Sequence, residues 1–207
     1  MASSVIHMAV ANEINKKLKR NNKLILLGSI APDIAKLIGD ARHVTHFTDE
    51  GVDYPYMDRF LDKYKNNLND DFVLGYFIHL YTDYFWFKYF ITELVDKDVI
   101  TKKDGTKVKL SGHMLALYIY NDYTNLNIEL IDDYELDLSI FYNELPKIND
   151  IIKEFNLDKI DVLIEKMGLI IKNSKETKEF VFDKKDIDKF ISTSVSLILS
   201  EIEELGR

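Results

Sequence analysis

The stretch Gly75–Trp86, GYFIHLYTDYFW, places two groups capable of acid–base or metal chemistry inside an apolar and aromatic segment. His79 and Asp83 are four residues apart, so in a helix both side chains share one face, with Cβ atoms about 6 Å apart. A buried carboxylate is costly unless it is paired. Imidazole and carboxylate at this spacing can chelate zinc, iron or manganese. The spacing is equally compatible with a hydrogen-bonded pair that only fixes helix packing.

The distribution of the other histidines favours a shared site. All five precede residue 114: His7, His43, His46, His79 and His113. In addition, Asp33 follows a proline in an otherwise apolar setting. Each has a plain interpretation, with His7 as a satisfied helix residue, His43 as a surface loop residue and Asp33 as a helix-start carboxylate. One common site explains their grouping better than separate roles do.

Composition predicts one all-α domain over residues 1–207. The chain is 46% hydrophobic and has only 8 glycines and 3 prolines, which favours long helices over a turn-rich β fold. The formal net charge of −8 argues against a broad surface for duplex nucleic acid or anionic membrane. With no cysteine in the sequence, disulfides, thiolate metal sites and cysteine nucleophiles are excluded.

Apolar periodicity and capping signals predict the order of the elements. Ser3 or Ser4 caps a first helix to about residue 20, a second helix begins at Pro32, and residues 40–55 form an ordered loop. Asn69, Asp70 or Asp71 caps the long helix of the His-Asp pair, in which Gly75 leaves room on the ligand face. The other predicted elements are helices over 56–66, 111–131, 138–145, 146–155, 157–173 and 186–205, a β-hairpin near 99–109 and an extended piece at 179–182.

Four motifs in order carry a resemblance to a known family. They are HMAVA beginning at His7, LGSIAPD ending at Asp33, THF around His46, and the stretch Gly75–Trp86. The series resembles the zinc-dependent phospholipase C family, which also includes secreted nucleases that cleave single strands. By motif the resemblance covers residues 1–90, and the helical pattern extends it over most of the chain.

The resemblance implies an all-helical domain that holds up to three zinc ions and cleaves phosphodiester bonds. It implies that Asp33 ligates a first metal and orients the attacking water, as the catalytic carboxylate. His46 and His79 would bind the same ion. Asp83 would bridge to another ion, which His7 would ligate.

Departures from the family pattern reduce the expected number of ions. A family histidine two turns beyond the bridging aspartate is replaced by Tyr89, and the last family pair corresponds to Tyr118 and Asp122. In secreted members the mature terminal amine also ligates an ion, and no secretory signal is visible here. We therefore expect one or two zinc ions, with iron or manganese as alternatives.

Residues 111–125 are expected to add to the site built from residues 1–90. Asp122 is a candidate site residue, and His113 could replace a lost ligand or protonate a leaving group. His43 could join from the loop of His46, although a solvated position suits it better.

These features predict a metal-dependent hydrolase of phosphoester or phosphodiester bonds, similar to phospholipase C. The expected substrate is a small phosphorylated molecule or a lipid headgroup, and the expected location is cytoplasmic, with no membrane span. A non-catalytic, metal-stabilised interaction protein is the alternative from another class. An HD-type metallophosphohydrolase ranks lower because no His is followed directly by Asp. The sequence leaves the oligomeric state open.

Overall fold

Helices make up most of the protein, as the apolar periodicity predicts, so the all-α fold is confirmed. The computed structural model describes residues 2–39, 41–96, 98–174 and 183–206. The helices are α1 (Ser4–Leu18), α2 (Asn22–Ile30), α3 (Ile34–Ile38), α4 (Arg42–Thr45), α5 (Met57–Tyr64), α6 (Asp71–Phe85), α7 (Ile91–Leu94), α8 (Gly112–Thr124), α9 (Asn127–Asp133), α10 (Ile160–Lys172) and α11 (Lys184–Leu205). Among the helices so described, none combines the length and hydropathy that crossing a bilayer requires.

The first helix is held at its start by side-chain hydrogen bonds. The Ser3 hydroxyl accepts from the Ile6 N–H at 3.1 Å, which is the N-cap predicted from the sequence. The same hydroxyl donates to the Asn127 side-chain oxygen at 3.2 Å, and the Asn127 amide donates to Ser174. These bonds tie the beginning of α1 to the start of α9 and the end of α10.

Helix α6 is the buried centre of the protein. Asp70 caps it by accepting from the N–H groups of Phe72 and Val73 at 3.0 and 3.1 Å. Every residue from Phe72 to Asp83 is buried. The predicted long helix ends its regular α geometry at Phe85 and continues as a π-helical turn over Trp86–Phe90 before α7.

Two glycines allow α2 and α6 to pack with their backbones in contact. A Cβ on Gly75 would lie 2.2 Å from the Ile25 carbonyl oxygen, and one on Gly28 would lie 2.2 Å from the Phe72 carbonyl oxygen. No side chain can occupy either position without moving a helix. Gly75 therefore leaves room for a neighbour, as predicted, but that neighbour is the backbone of α2. The prediction that this room lies open on the ligand face is wrong.

The predicted β-hairpin is present and carries a third strand. Strand β1 (Val95–Asp96) pairs antiparallel with β2 (Val99–Thr101), which pairs with β3 (Lys107–Lys109). The turn between β2 and β3 contains Gly105 at φ +82°, a conformation that glycine adopts at no steric cost.

The segment 138–155 differs from the two helices predicted there. Leu138–Phe141 is a short 3-10 turn, and residues 146–155 are irregular. Residues distant in sequence contact the backbone and side chains of this segment, and these contacts replace helical hydrogen bonds. The Tyr64 hydroxyl accepts from the Lys153 N–H at 3.0 Å and donates to Glu154 at 2.6 Å, while Phe155 packs against Phe72.

Other predicted boundaries shift by a few residues. The loop predicted over 40–55 contains the short helix α4, and the helix predicted over 111–131 is divided into α8 and α9. Helices α10 and α11 confirm the last two predicted helices. The extended piece predicted at 179–182 lies outside the described residues.

Replacing Gly75 with alanine is expected to destabilise the protein by roughly 3 kcal/mol or more, because overpacking against backbone cannot be relieved by a rotamer change. Urea denaturation would measure the loss. Gly168→Ala is the matched control, since its Cβ would lie 3.7 Å from the Phe141 side chain, an ordinary contact. That control should be neutral or stabilising by about 0.5–1 kcal/mol. Equal effects of the two substitutions would contradict the close packing.

Candidate metal centre

Four segments bring five predicted ligands together in the interior. The ligands are His7 from α1, Asp33 from the 3-10 turn before α3, His46 from the end of α4, and His79 and Asp83 from α6. All five are buried, with exposures between 0% and 3%. The Pro32 turn and the capped start of α6 therefore help to bring together, at one place in the core, residues that are distant in sequence.

The orientation of His79 is fixed by the packing of α2 against α6. Its Nδ1 lies 2.7 Å from the Ser29 carbonyl oxygen, an acceptor only, so Nδ1 carries the proton and donates. The lone pair is therefore on Nε2, which faces the cluster and lies 3.3 Å from Nε2 of His46. A backbone carbonyl that holds the second nitrogen of a histidine is the usual support of a metal ligand.

A first group of candidate ligands contains Asp33, His46 and His79. Their ligand atoms lie within 4.8 Å of one another, and His46 Nε2 is 3.7 Å from Asp33 Oδ1. The other nitrogen of His46, Nδ1, is 3.0 Å from the Thr45 hydroxyl. Two imidazoles and a carboxylate form a donor set that suits zinc.

A second group contains His7, His79 and Asp83, whose ligand atoms also lie within 4.8 Å of one another. His7 Nε2 is 3.4 Å from Asp83 Oδ1, and the His7 ring stacks on that of His79 with centroids 3.7 Å apart. Because His79 belongs to both groups and one of its nitrogens is committed to Ser29, its Nε2 can ligate one ion at a time.

Several buried atoms of the cluster lack hydrogen bonds. Neither ring nitrogen of His7 makes a hydrogen bond, although Nε2 lies 3.4 Å from Asp83 Oδ1, and Asp33 Oδ1 makes none either. Leaving such atoms unpaired costs about 1–3 kcal/mol each, and more for a charged group. A cation in the cluster would satisfy Asp33 Oδ1 or His7 Nε2, the nitrogen that faces Asp83, so the residues present fit a metal.

Burial shifts the protonation of the cluster in ways that matter for metal binding. Burial raises the pKa of Asp33. Burial also lowers the pKa of His46 to about 3, assisted by the charge of Arg42, and lowers that of His79 well below its usual value. Although burial alone would raise the pKa of Asp83, nearby positive charge and the His7 imidazole 3.4 Å away hold it well below its usual range. His46 and His79 are therefore neutral, as metal ligands must be.

Two contacts of Asp83 were missed by the sequence reasoning. The Ala2 N–H donates to Asp83 Oδ1 at 3.1 Å, and Arg42 Nη2 lies 3.4 Å from Asp83 Oδ2. A sequence signal for Arg42 exists, because it precedes His46 by four residues and so falls on the same side of a helical turn. No comparable signal points to Ala2.

The remaining candidates lie outside the two ligand groups. His43 is half-buried and lines a separate groove with Arg59, Lys63 and Glu154. Asp122 is buried on α8 but belongs to neither group among the described residues. His113 is in the first turn of α8, and its side chain lies outside what the structure describes.

The stability of metal-free protein is expected to fall as pH falls from about 6.5 toward 3. His46 is neutral in the folded state, with a pKa of about 3, whereas in the unfolded chain it takes up a proton near pH 6.5. Each pH unit below 6.5 should cost about 1.4 kcal/mol for this residue. The raised pKa of Asp33 acts in the opposite direction above pH 3.8.

Urea denaturation of chelator-treated protein between pH 7 and 5 measures this dependence. His46→Asn, which can keep a polar contact with Thr45, should give a shallower dependence than the wild type. Identical slopes in the two proteins would contradict the assignment.

Comparison with known proteins agrees with this geometry. No curated protein and no solved structure gives a significant match. Residues 5–201 match the family described as zinc dependent phospholipase C, which covers nearly the whole chain and confirms the resemblance predicted from the four motifs. The chain therefore belongs to the zinc-dependent phospholipase C family.

Proposed function

We propose that the protein is a zinc-dependent hydrolase of phosphodiester bonds that acts on a small phosphorylated molecule or a lipid headgroup. One observation carries the proposal: buried atoms of His7 and Asp33 that make no hydrogen bond lie in a cluster with two further imidazoles and a second carboxylate. A cluster without a metal function would be expected to pair these atoms within the protein.

The five side chains can supply three ligands to one ion and two to a second, because both groups share the single free nitrogen of His79. Assigning His79 Nε2 to the ion of Asp33 and His46 leaves His7 and Asp83 for a second ion. Asp83 offers both carboxylate oxygens to the cluster, since Oδ1 is 3.4 Å from His7 and Oδ2 is 3.6 Å from His46. This carboxylate can therefore bridge two ions.

Zinc bound here would lower the pKa of a coordinated water and polarise the phosphate oxygens. The protein's own side chains would accept the proton of the attacking water and hold the metal. Asp33 provides a carboxylate with a raised pKa, suited to accept a proton from the attacking water. The neutral imidazole of His79 has its lone pair on Nε2, which faces the cluster and is available to a metal ion, because Nδ1 donates to the Ser29 carbonyl.

A structural metal site is the competing function, and one observation favours it. Structural zinc sites are closed and catalytic sites keep an open position, and His7, His79 and Asp83 are fully buried. Tight metal binding without turnover of any phosphate ester would establish this alternative.

His79→Asn is expected to lower the metal content of the purified protein at least tenfold. Asparagine can keep the donor to the Ser29 carbonyl while it removes the Nε2 ligand shared by both groups. Elemental analysis would measure zinc, iron and manganese together. His7→Phe is the matched variant: it keeps the stacked ring and should retain the ion held by Asp33, His46 and His79. Unchanged metal content in His79→Asn would refute the site.

Asp33→Asn is expected to reduce hydrolysis of aryl phosphate diesters at least 100-fold, within the range typical for loss of a general base. The same substitution should stabilise the metal-free protein at pH 7, because a buried carboxyl group with a raised pKa is costly to ionise. Turnover assays with added zinc and urea denaturation after chelation measure the two effects. Retained activity together with lower stability would indicate a structural carboxylate and would contradict the catalytic role.

A further inference from the structure

Arg42 lies at the border between the buried ligand cluster and solvent. Its side chain is 26% exposed, whereas that of Asp83, which it contacts at 3.4 Å, is 0% exposed. Helix α4 carries Arg42 at its first residue and is followed directly by His46. One helical turn thus presents a metal ligand and a guanidinium toward the same cluster.

The position of the guanidinium is set by its own loop as well as by Asp83. Arg42 Nη2 donates to the Asp53 carbonyl oxygen at 2.8 Å, and Nη1 donates to the Val52 carbonyl oxygen at 3.5 Å. The guanidinium also lies 5.7 Å from the centre of the Phe87 ring. These contacts do not involve a metal ligand, so they can hold the group in place when a cation neutralises Asp83.

We propose that Arg42 is a substrate-binding residue, whose guanidinium contacts the non-bridging oxygens of the phosphate during hydrolysis. This inference rests on the proposed function. An arginine fork matches the geometry of a phosphate group better than an ammonium does. In a chain of net charge −8, an anionic substrate needs local positive charge at the place where it enters.

The contact of Arg42 with Asp83 is compatible with phosphate binding by the same guanidinium. The Arg42 guanidinium lies against the buried Asp83 carboxylate. Metal ions held by Asp83 would take up its charge, and the positive charge of Arg42 would then be available to a phosphate at the exposed edge of the cluster.

Calorimetric titration of zinc-loaded protein with inorganic phosphate tests this inference without requiring turnover. Arg42→Gln should weaken phosphate binding at least tenfold while zinc content and the circular dichroism spectrum stay unchanged. Arg42→Lys keeps the positive charge but loses the paired N–H donors of the guanidinium, so its affinity for phosphate should lie between those of the wild type and Arg42→Gln. Arg59→Gln is the control, because Arg59 is paired with Asp49 at 2.8 Å and lines the separate groove of His43; it should bind phosphate as the wild type does.

The outcomes separate this inference from the proposed function. If the wild type and Arg42→Gln bind phosphate equally, Arg42 is not a substrate-binding residue, while the hydrolase proposal is unaffected. Loss of zinc from both Arg42 variants would assign the residue to holding Asp83 and would overturn the inference. If zinc-loaded wild type binds no phosphate and hydrolyses no ester, both proposals fail.

Discussion

The contact between the backbones of α2 and α6 is the constraint on which the candidate site depends. Gly28 and Gly75 let the two helices approach until no Cβ fits between them. That approach brings the Ser29 carbonyl within 2.7 Å of His79 Nδ1, which fixes the tautomer and the direction of Nε2. Since His79 is shared by both ligand groups, packing of small residues determines the geometry of the whole cluster.

Burial makes the cluster costly in the absence of a cation. Two carboxylates and three imidazoles lie in the core, and burial opposes ionisation of Asp33 while it keeps His46 and His79 neutral. The Arg42 guanidinium supplies positive charge beside Asp83, whereas Asp33 Oδ1 and both nitrogens of His7 make no hydrogen bond. The protein thus gives up stability at the positions where a metal would restore it, as functional sites commonly do.

The sequence predicted which residues cluster in the core better than it predicted the surrounding backbone. His79 and Asp83 were found because helical spacing alone places them on one face, and Asp33 because a proline turn precedes it. The helix predicted over 146–155 is wrong because tertiary bonds from Tyr64 replace the helical ones, and such partners lie far away in sequence. The contact of Ala2 with Asp83 spans 81 residues and leaves no local signal, and the use of Gly75 became clear only once α2 was placed beside it.

A π-helical turn after α6 separates Asp83 from Tyr89, the residue near the position where the resemblance to the family implies a further histidine ligand. A regular helix would continue the face of His79 and Asp83 into the next two turns. The turn over Trp86–Phe90 is wound with a wider repeat, and position 89, six residues after Asp83, lies off that face in either winding. Tyr89, at the expected ligand position, is 58% exposed. An imidazole placed there would be exposed as well, so a single substitution at position 89 would not add a ligand to the buried cluster.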